Sequence, residues 1–157
     1  MCIRDSGELT EETKAVVEVA KYYNALVATS HLSPEEILKL GKFCTQMGVR
    51  HILTHLMWTP EYDLELGKQF IEDGGMVELT GVTFGGYVHK RKLAECVEAI
   101  NVLGAKNLVL SSDTGAVRSM IPSELFRMWS VNLSNAGVSD DDLNLTMKTN
   151  PLSLIER

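Results

Sequence analysis

The sequence predicts an α/β fold built on a parallel sheet, and three observations predict it. Short apolar runs (Ala25–Thr29, Ile52–His55, Met76–Thr80 and Leu108–Asp113) are the size of buried strands. Segments with apolar residues at helical spacing separate them, the pattern of βαβ units. The strand ends recur at a regular step, at residues 31, 55, 80 and 113, which suggests a repeating (β/α) architecture. Four such strands suit either an open doubly wound sheet or part of an eightfold barrel.

In chain order, Thr10 is placed to cap a helix whose first turn carries Glu11 and Glu12 and whose apolar stripe is Val16, Val19, Ala20 and Tyr23. The strand Ala25–Thr29 follows and ends at Ser30-His31. Ser33-Pro34-Glu35-Glu36 starts the next helix, with Ser33 at the N-cap, Pro34 in the first turn and Glu36 closing a capping box. Its stripe is Ile37, Leu40, Cys44 and Met47, and Gly48 ends it. After the strand Ile52–His55, Thr59-Pro60-Glu61 restarts a helix that runs to Asp73-Gly74-Gly75. The strand Met76–Thr80 leads into a loop with Gly81, Gly85 and Gly86. The stripe Leu93, Cys96, Val97 and Ile100 then marks a helix stopped by Gly104. The last strand, Leu108–Asp113, is followed by a loop to Ile121 and by a helix whose inner side is Leu125, Met128, Trp129 and Leu133. Ser139 caps a short final helix before Asn150-Pro151.

At 157 residues the chain is of single-domain size, and 45% hydrophobic with 23% charged residues suits a packed globule. A net charge of −6 disfavours a nucleic-acid partner, and no apolar run is long enough to span a membrane. Cys2, Cys44 and Cys96 are odd in number and contain no CxxC pair, which fits a reduced, cytoplasmic setting better than a disulfide framework. No glycine-rich phosphate-binding motif occurs. The opening Met1-Cys2-Ile3-Arg4-Asp5-Ser6 fits nothing that follows and resembles the translation of a sequencing adapter. Residues 1–6 are expected to be a non-native leader, with the folded protein at 7–157.

His31, His55 and Asp113 each fall at the carboxyl end of a strand, the edge where parallel α/β proteins bind ligands. Two imidazoles and a carboxylate suit a borderline divalent ion, zinc first and manganese second. Such an ion makes hydroxide available near neutral pH, and Asp113 is placed to accept the proton as general base. Each residue also has a plainer reading: a strand-end histidine is often only a satisfied structural group, and Asp113 suits a loop turn before Gly115. His51 belongs to the opposite, stability-related end of its strand. His89, beside Lys90 and Arg91, is either a contact for a substrate anion or a solvated helix start. Glu78, in mid-strand, needs a partner and can orient a ligand histidine. Cys44 and Cys96 lie on helix core stripes, and the methionines and tryptophans are read as packing.

These residues resemble the C-terminal half of a metal-dependent hydrolase of the amidohydrolase superfamily. The resemblance rests on Ala28-Thr29-Ser30-His31-Leu32-Ser33, Ile52-Leu53-Thr54-His55, Asn107 to Asp113, and Ala136 to Ser139 through Asn150-Pro151. It implies strands five to eight of a (β/α)8 TIM-type barrel. His31 and His55 would be metal ligands on strands five and six, Met76–Thr80 strand seven, and Asp113 the strand-eight carboxylate that binds metal and acts as base. The family's His-x-His on strand one and its bridging Lys or Glu on strand four have no counterpart here. The implied reaction is attack of metal-bound hydroxide on a carbonyl or phosphoryl centre of a small-molecule substrate. A complete barrel needs about 250 residues, and this chain alone is expected to be inactive, since three ligands from one half cannot hold a catalytic metal in the parent's geometry. The rival reading is a non-catalytic half-barrel module that forms a homo-oligomer or docks with a partner chain, such as a missing N-terminal half.

Overall fold

The computed structural model describes residues 3–5, 7–84, 91–115 and 120–156. Its elements run β1 (Arg4–Asp5), β2 (Glu8–Leu9), α1 (Glu11–Tyr22), β3 (Val27–Ala28), α2 (Pro34–Met47), β4 (His51–Leu53), α3 (Leu64–Glu72) and β5 (Met76–Thr80). There follow α4 (Gly81–Phe84), α5 (Leu93–Leu103), a 3₁₀ turn (Ala105–Asn107), β6 (Leu108–Ser111), α6 (Pro122–Asn135) and α7 (Asp140–Asn144). A π-helical turn (Leu145–Thr149) and α8 (Asn150–Ile155) end the order. The predicted α/β class holds.

The central sheet is parallel and its strand order, β3-β4-β5-β6, is the chain order. A doubly wound sheet reverses its order partway, and this one does not. The crossover helices α2, α3 and α5 all pack on one face: Ile37, Phe70, Cys96 and Ile100 share a core with Leu53, Val77, Leu79, Leu108 and Leu110. Period-two alternation sends the remaining strand residues to the opposite face. There Ile52 and Val109 meet Leu154, so α8 covers the foot of that face. Asn150 ties it down by donating its side-chain amide to the carbonyls of Ala105 and Leu108 at 2.8 and 2.7 Å.

Helix punctuation follows the sequence. Thr10 accepts from the Thr13 N–H, and Ser33 with Glu36 forms the full capping box. Gly48 ends α2 in the left-handed region, at φ 68°. Met76–Thr80 is the strand expected.

Five expectations are corrected. On α1 the buried residue is Val17, 1% exposed, whereas Val16, Val19 and Tyr23 face outward; the helix turns Val17 toward Leu40 and Cys44 of α2. α3 begins at Leu64, not near Thr59, because the Tyr62 N–H closes a turn onto the Thr59 carbonyl and Asp63 caps the helix instead. Gly81 opens the helical turn α4 rather than a loop. On α6, Met128 is exposed, and the packed side is Leu125, Trp129 and Leu133. The final helix does not stop before Asn150-Pro151: helical backbone continues from Asp140 to Ile155. Proline lacks an N–H and crowds the turn before it, and the wider π turn at 145–149 accommodates both effects.

Residues 3–5, left out of the expected fold, take part in it. Ile3 is buried, its N–H donates to Glu36 Oε1 at 3.1 Å, and β1 pairs with β2.

Candidate active site

Three strand ends share an unusual backbone. Ser30, His55 and Asp113 adopt φ values of 53°, 58° and 50°, in the left-handed region that side-chain-bearing residues seldom enter. They follow β3, β4 and β6 respectively, so the strain lies along one edge of the sheet. Strain of this kind collects where geometry serves a site rather than stability. Reciprocal bonds hold the first two ends in register: the Thr54 N–H donates to Thr29 Oγ1 and the Ser30 N–H to Thr54 Oγ1.

His55 is the hub. Its Nδ1 lies 3.7 Å from Glu78 Oε2 and its Nε2 lies 3.7 Å from Asp113 Oδ2. The His31 ring meets it at a centroid distance of 5.2 Å, and the Trp58 ring at 5.8 Å. His55 and Glu78 are largely enclosed, whereas His31 and Asp113 are open to solvent. Glu78 is fixed on both oxygens: Ser111 Oγ donates to Oε1 at 2.6 Å, and the His55 backbone N–H donates to Oε2 at 3.3 Å. The partner that Glu78 was expected to need is therefore Ser111 on the neighbouring strand, together with His55.

The predicted residues thus converge on one edge, but not as a finished metal centre. His55 Nε2 and Asp113 Oδ2, 3.7 Å apart, would be near enough to serve as two donors to one zinc-like ion. Among the described residues, no group of three His, Cys, Asp or Glu is placed to hold a metal ion. His31 comes near through its ring and does not complete a third donor position. The donor types fit a zinc-like ion, and the arrangement offers it two donors.

Other candidates sort cleanly. His51 faces the helices, with its Nδ1 at 2.9 Å from the Val49 carbonyl oxygen and its ring edge-on to Phe70; it is structural, as expected. Burial lowers its pKa. Cys44 and Cys96 are buried free thiols, pushed up to about 11 and about 12 by burial, unsuited to nucleophilic work. Trp129 is packed in the core beside Phe84, and His89 lies outside the described residues.

Two cavities flank His55. The larger, about 660 Å³, lies over the sheet face, with Thr54, Glu78, Ser111 and Asp113 on its rim and Ile52 and Leu154 on its floor. The other, about 510 Å³, lies between the β3–α2 and β4–α3 connections, against His31, Trp58, Glu61 and Tyr62. Trp58, Glu61 and Ser111 escaped the sequence reading. Ser111 was within reach of it: Thr80 and Ser111 are register partners, and alternation puts Glu78 on the same face.

Residues 1–78 match a protein family of unknown function (DUF6282). No curated protein matches the chain. No helix among the described residues is long and apolar enough to cross a membrane.

Proposed function

We propose that this edge is the strand five to eight portion of a hydrolase site of amidohydrolase type, belonging to a (β/α)8 barrel and acting on a small molecule in the cytoplasm. The observation that carries the reading is His55 standing between Glu78 and Asp113, with His31 against its ring, at the carboxyl ends of consecutive parallel strands. In-order strands with all crossover helices on one face suit a barrel segment.

In this reading His55 Nε2 and Asp113 would hold a divalent ion, zinc or manganese, and His31 would supply a further imidazole only if its ring turned toward that ion. When bound, such an ion supplies Lewis acidity and lowers the pKa of water. Asp113, the most open of the carboxylates at His55, takes the proton of the attacking water as general base. Glu78 holds His55 by its backbone N–H and faces its Nδ1, which leaves Nε2 directed at Asp113. The electrophile is a carbonyl or phosphoryl centre above the larger cavity. The chain alone is inactive, because two aligned donors do not fix an ion in catalytic geometry.

Calorimetric titration with zinc and with manganese tests this. Weak binding that His55→Ala removes, without turnover of lactones, amides or phosphate esters, is the expected result. Identical heats for wild type and His55→Ala with both ions would sink the metal reading. Tight stoichiometric binding abolished by His55→Ala would keep the site and overturn the claim of inactivity.

A second reading has its own observation. Val16, Val19, Tyr22 and Tyr23 expose apolar surface on α1, next to the outermost strand β3, as an assembling half-barrel module would. Light scattering separates the two: a monodisperse dimer favours assembly, and a monomer disfavours it.

A further inference from the structure

The geometry points to a cation-binding subsite in the cavity between Trp58 and Glu61, so that the substrate of the proposed hydrolase carries an ammonium or amidinium group beside the bond attacked. This deepens the hydrolase reading and rests on it for the word substrate; the binding itself does not need turnover.

The position comes first. His55, Trp58 and Glu61 lie on one connection, between β4 and α3, and the Trp58 ring is 5.8 Å from the His55 ring. A group seated in the roughly 510 Å³ cavity against Trp58 is therefore next to the catalytic edge. Among the described residues its walls combine an indole, the His31 imidazole and the Tyr62 ring with one carboxylate, Glu61, and include no Lys or Arg. The Tyr62 hydroxyl is already spent on the Leu32 carbonyl, which leaves Glu61 as the charged group of the wall.

Electrostatics then select the sign of the ligand. No ion pair joins Glu61 to another described residue. The Tyr62 phenol is pushed up first by burial and then by the charges of Glu61 and Glu36, so both carboxylates act on this wall. The N-terminus of α2 borders the cavity and by itself favours an anion. That preference is already met, since Ser33 and Glu36 close the capping box and Glu35 adds a charge to the first turn. The larger cavity repeats the sign: among the described residues its lining holds Glu78 and Asp113 and no Lys or Arg. A cation over an indole face with a carboxylate nearby is the arrangement that general chemistry favours here. By the same logic a carbonyl substrate suits the edge better than a dianionic phosphomonoester.

The probes are benzamidinium, benzamide and benzoate, which share shape and differ in charge. The readout is the indole N–H resonances of the chain's two tryptophans, Trp58 and the buried Trp129, assigned with Trp58→Phe. Benzamidinium is expected to shift the Trp58 signal saturably and leave Trp129 still. Benzamide should bind at least about fivefold more weakly, and Glu61→Gln should weaken benzamidinium by about threefold to fivefold without affecting benzamide. Equal binding of benzamide and benzamidinium, tighter binding of benzoate, an unchanged Glu61→Gln or no saturable shift would each overturn the subsite. The charge comparison is made on the unaltered chain, and Glu61 is exposed, so misfolding does not confound it. Failure of the metal titration leaves these results unaffected, which separates the loss of the hydrolase reading from the loss of this one.

Discussion

Glu78 Oε2 accepts the backbone N–H of His55 and at the same time lies 3.7 Å from Nδ1 of the same residue, so one carboxylate holds the strained backbone and faces the ring. The backbone contact is the more informative, because His55 sits at φ 58° and needs something to hold it there.

Glu78→Ala removes the acceptor for both the Ser111 hydroxyl and the His55 N–H. A loss of about 1–3 kcal/mol is expected from the stranded donors, read by urea unfolding. Glu78→Gln keeps one carbonyl oxygen and should lose less. If alanine costs no more than glutamine, Glu78 is not what holds this edge.

The punctuation of the fold was legible where one residue type has one job. Ser33-Pro34-Glu35-Glu36 and Gly48 bracket α2 because capping and a left-handed turn are local properties. His31, His55 and Asp113 were legible as an edge because strand ends in a parallel sheet converge. Local reasoning failed where both faces of an element are apolar. On α1, Val16, Val17 and Val19 are equally hydrophobic, and only contact with α2 selects Val17. It failed again at Asn150-Pro151, where tertiary bonds from Asn150 and a π turn override a local stop signal. The Trp58–Glu61 wall was invisible because it depends on the irregular path from His55 to Asp63.

His51 makes stability depend on pH. Burial lowers its folded pKa below the ordinary 6.5, opposed by the Val49 carbonyl and the Asp73 charge. Above pH 6.5 the imidazole is neutral in both states and carries no penalty. As pH falls below that value the unfolded chain takes up a proton that the folded one refuses, so stability declines until the folded pKa is reached. Denaturant unfolding at pH 7.5 and 5.5 should show the decline, and His51→Gln should reduce it. Equal pH slopes in the two proteins would rule His51 out as the source.

Asn150 is buried, and its amide serves the carbonyls of Ala105, which opens the 3₁₀ turn, and of Leu108, which begins β6. Asn150→Ala leaves Ala105 and Leu108 without that donor, at a cost of about 1–3 kcal/mol. Asn150→Asp is worse, about 3–5 kcal/mol at neutral pH, since it sets a buried charge against two acceptor oxygens. Acid should narrow the gap by protonating the new carboxyl. An aspartate variant as stable as the alanine one at pH 7 would show that α8 docks without this contact.

Gly81 carries β5 directly into α4, and α6 presses against that junction. A Cβ there would stand 2.4 Å from Leu125 Cδ2 and 3.3 Å from Trp129 Cε3, well inside contact distance. Leu125 and Trp129 are each 2% exposed and have little room to retreat. Gly81→Ala should therefore cost about 1–3 kcal/mol through overpacking. The cause is separable from any loss of backbone freedom by a double-mutant cycle. In a Leu125→Ala background the space is free, and the same alanine at position 81 should cost little. Full additivity of the two changes would mean that the side chain of Leu125 is not what demands a glycine at this turn.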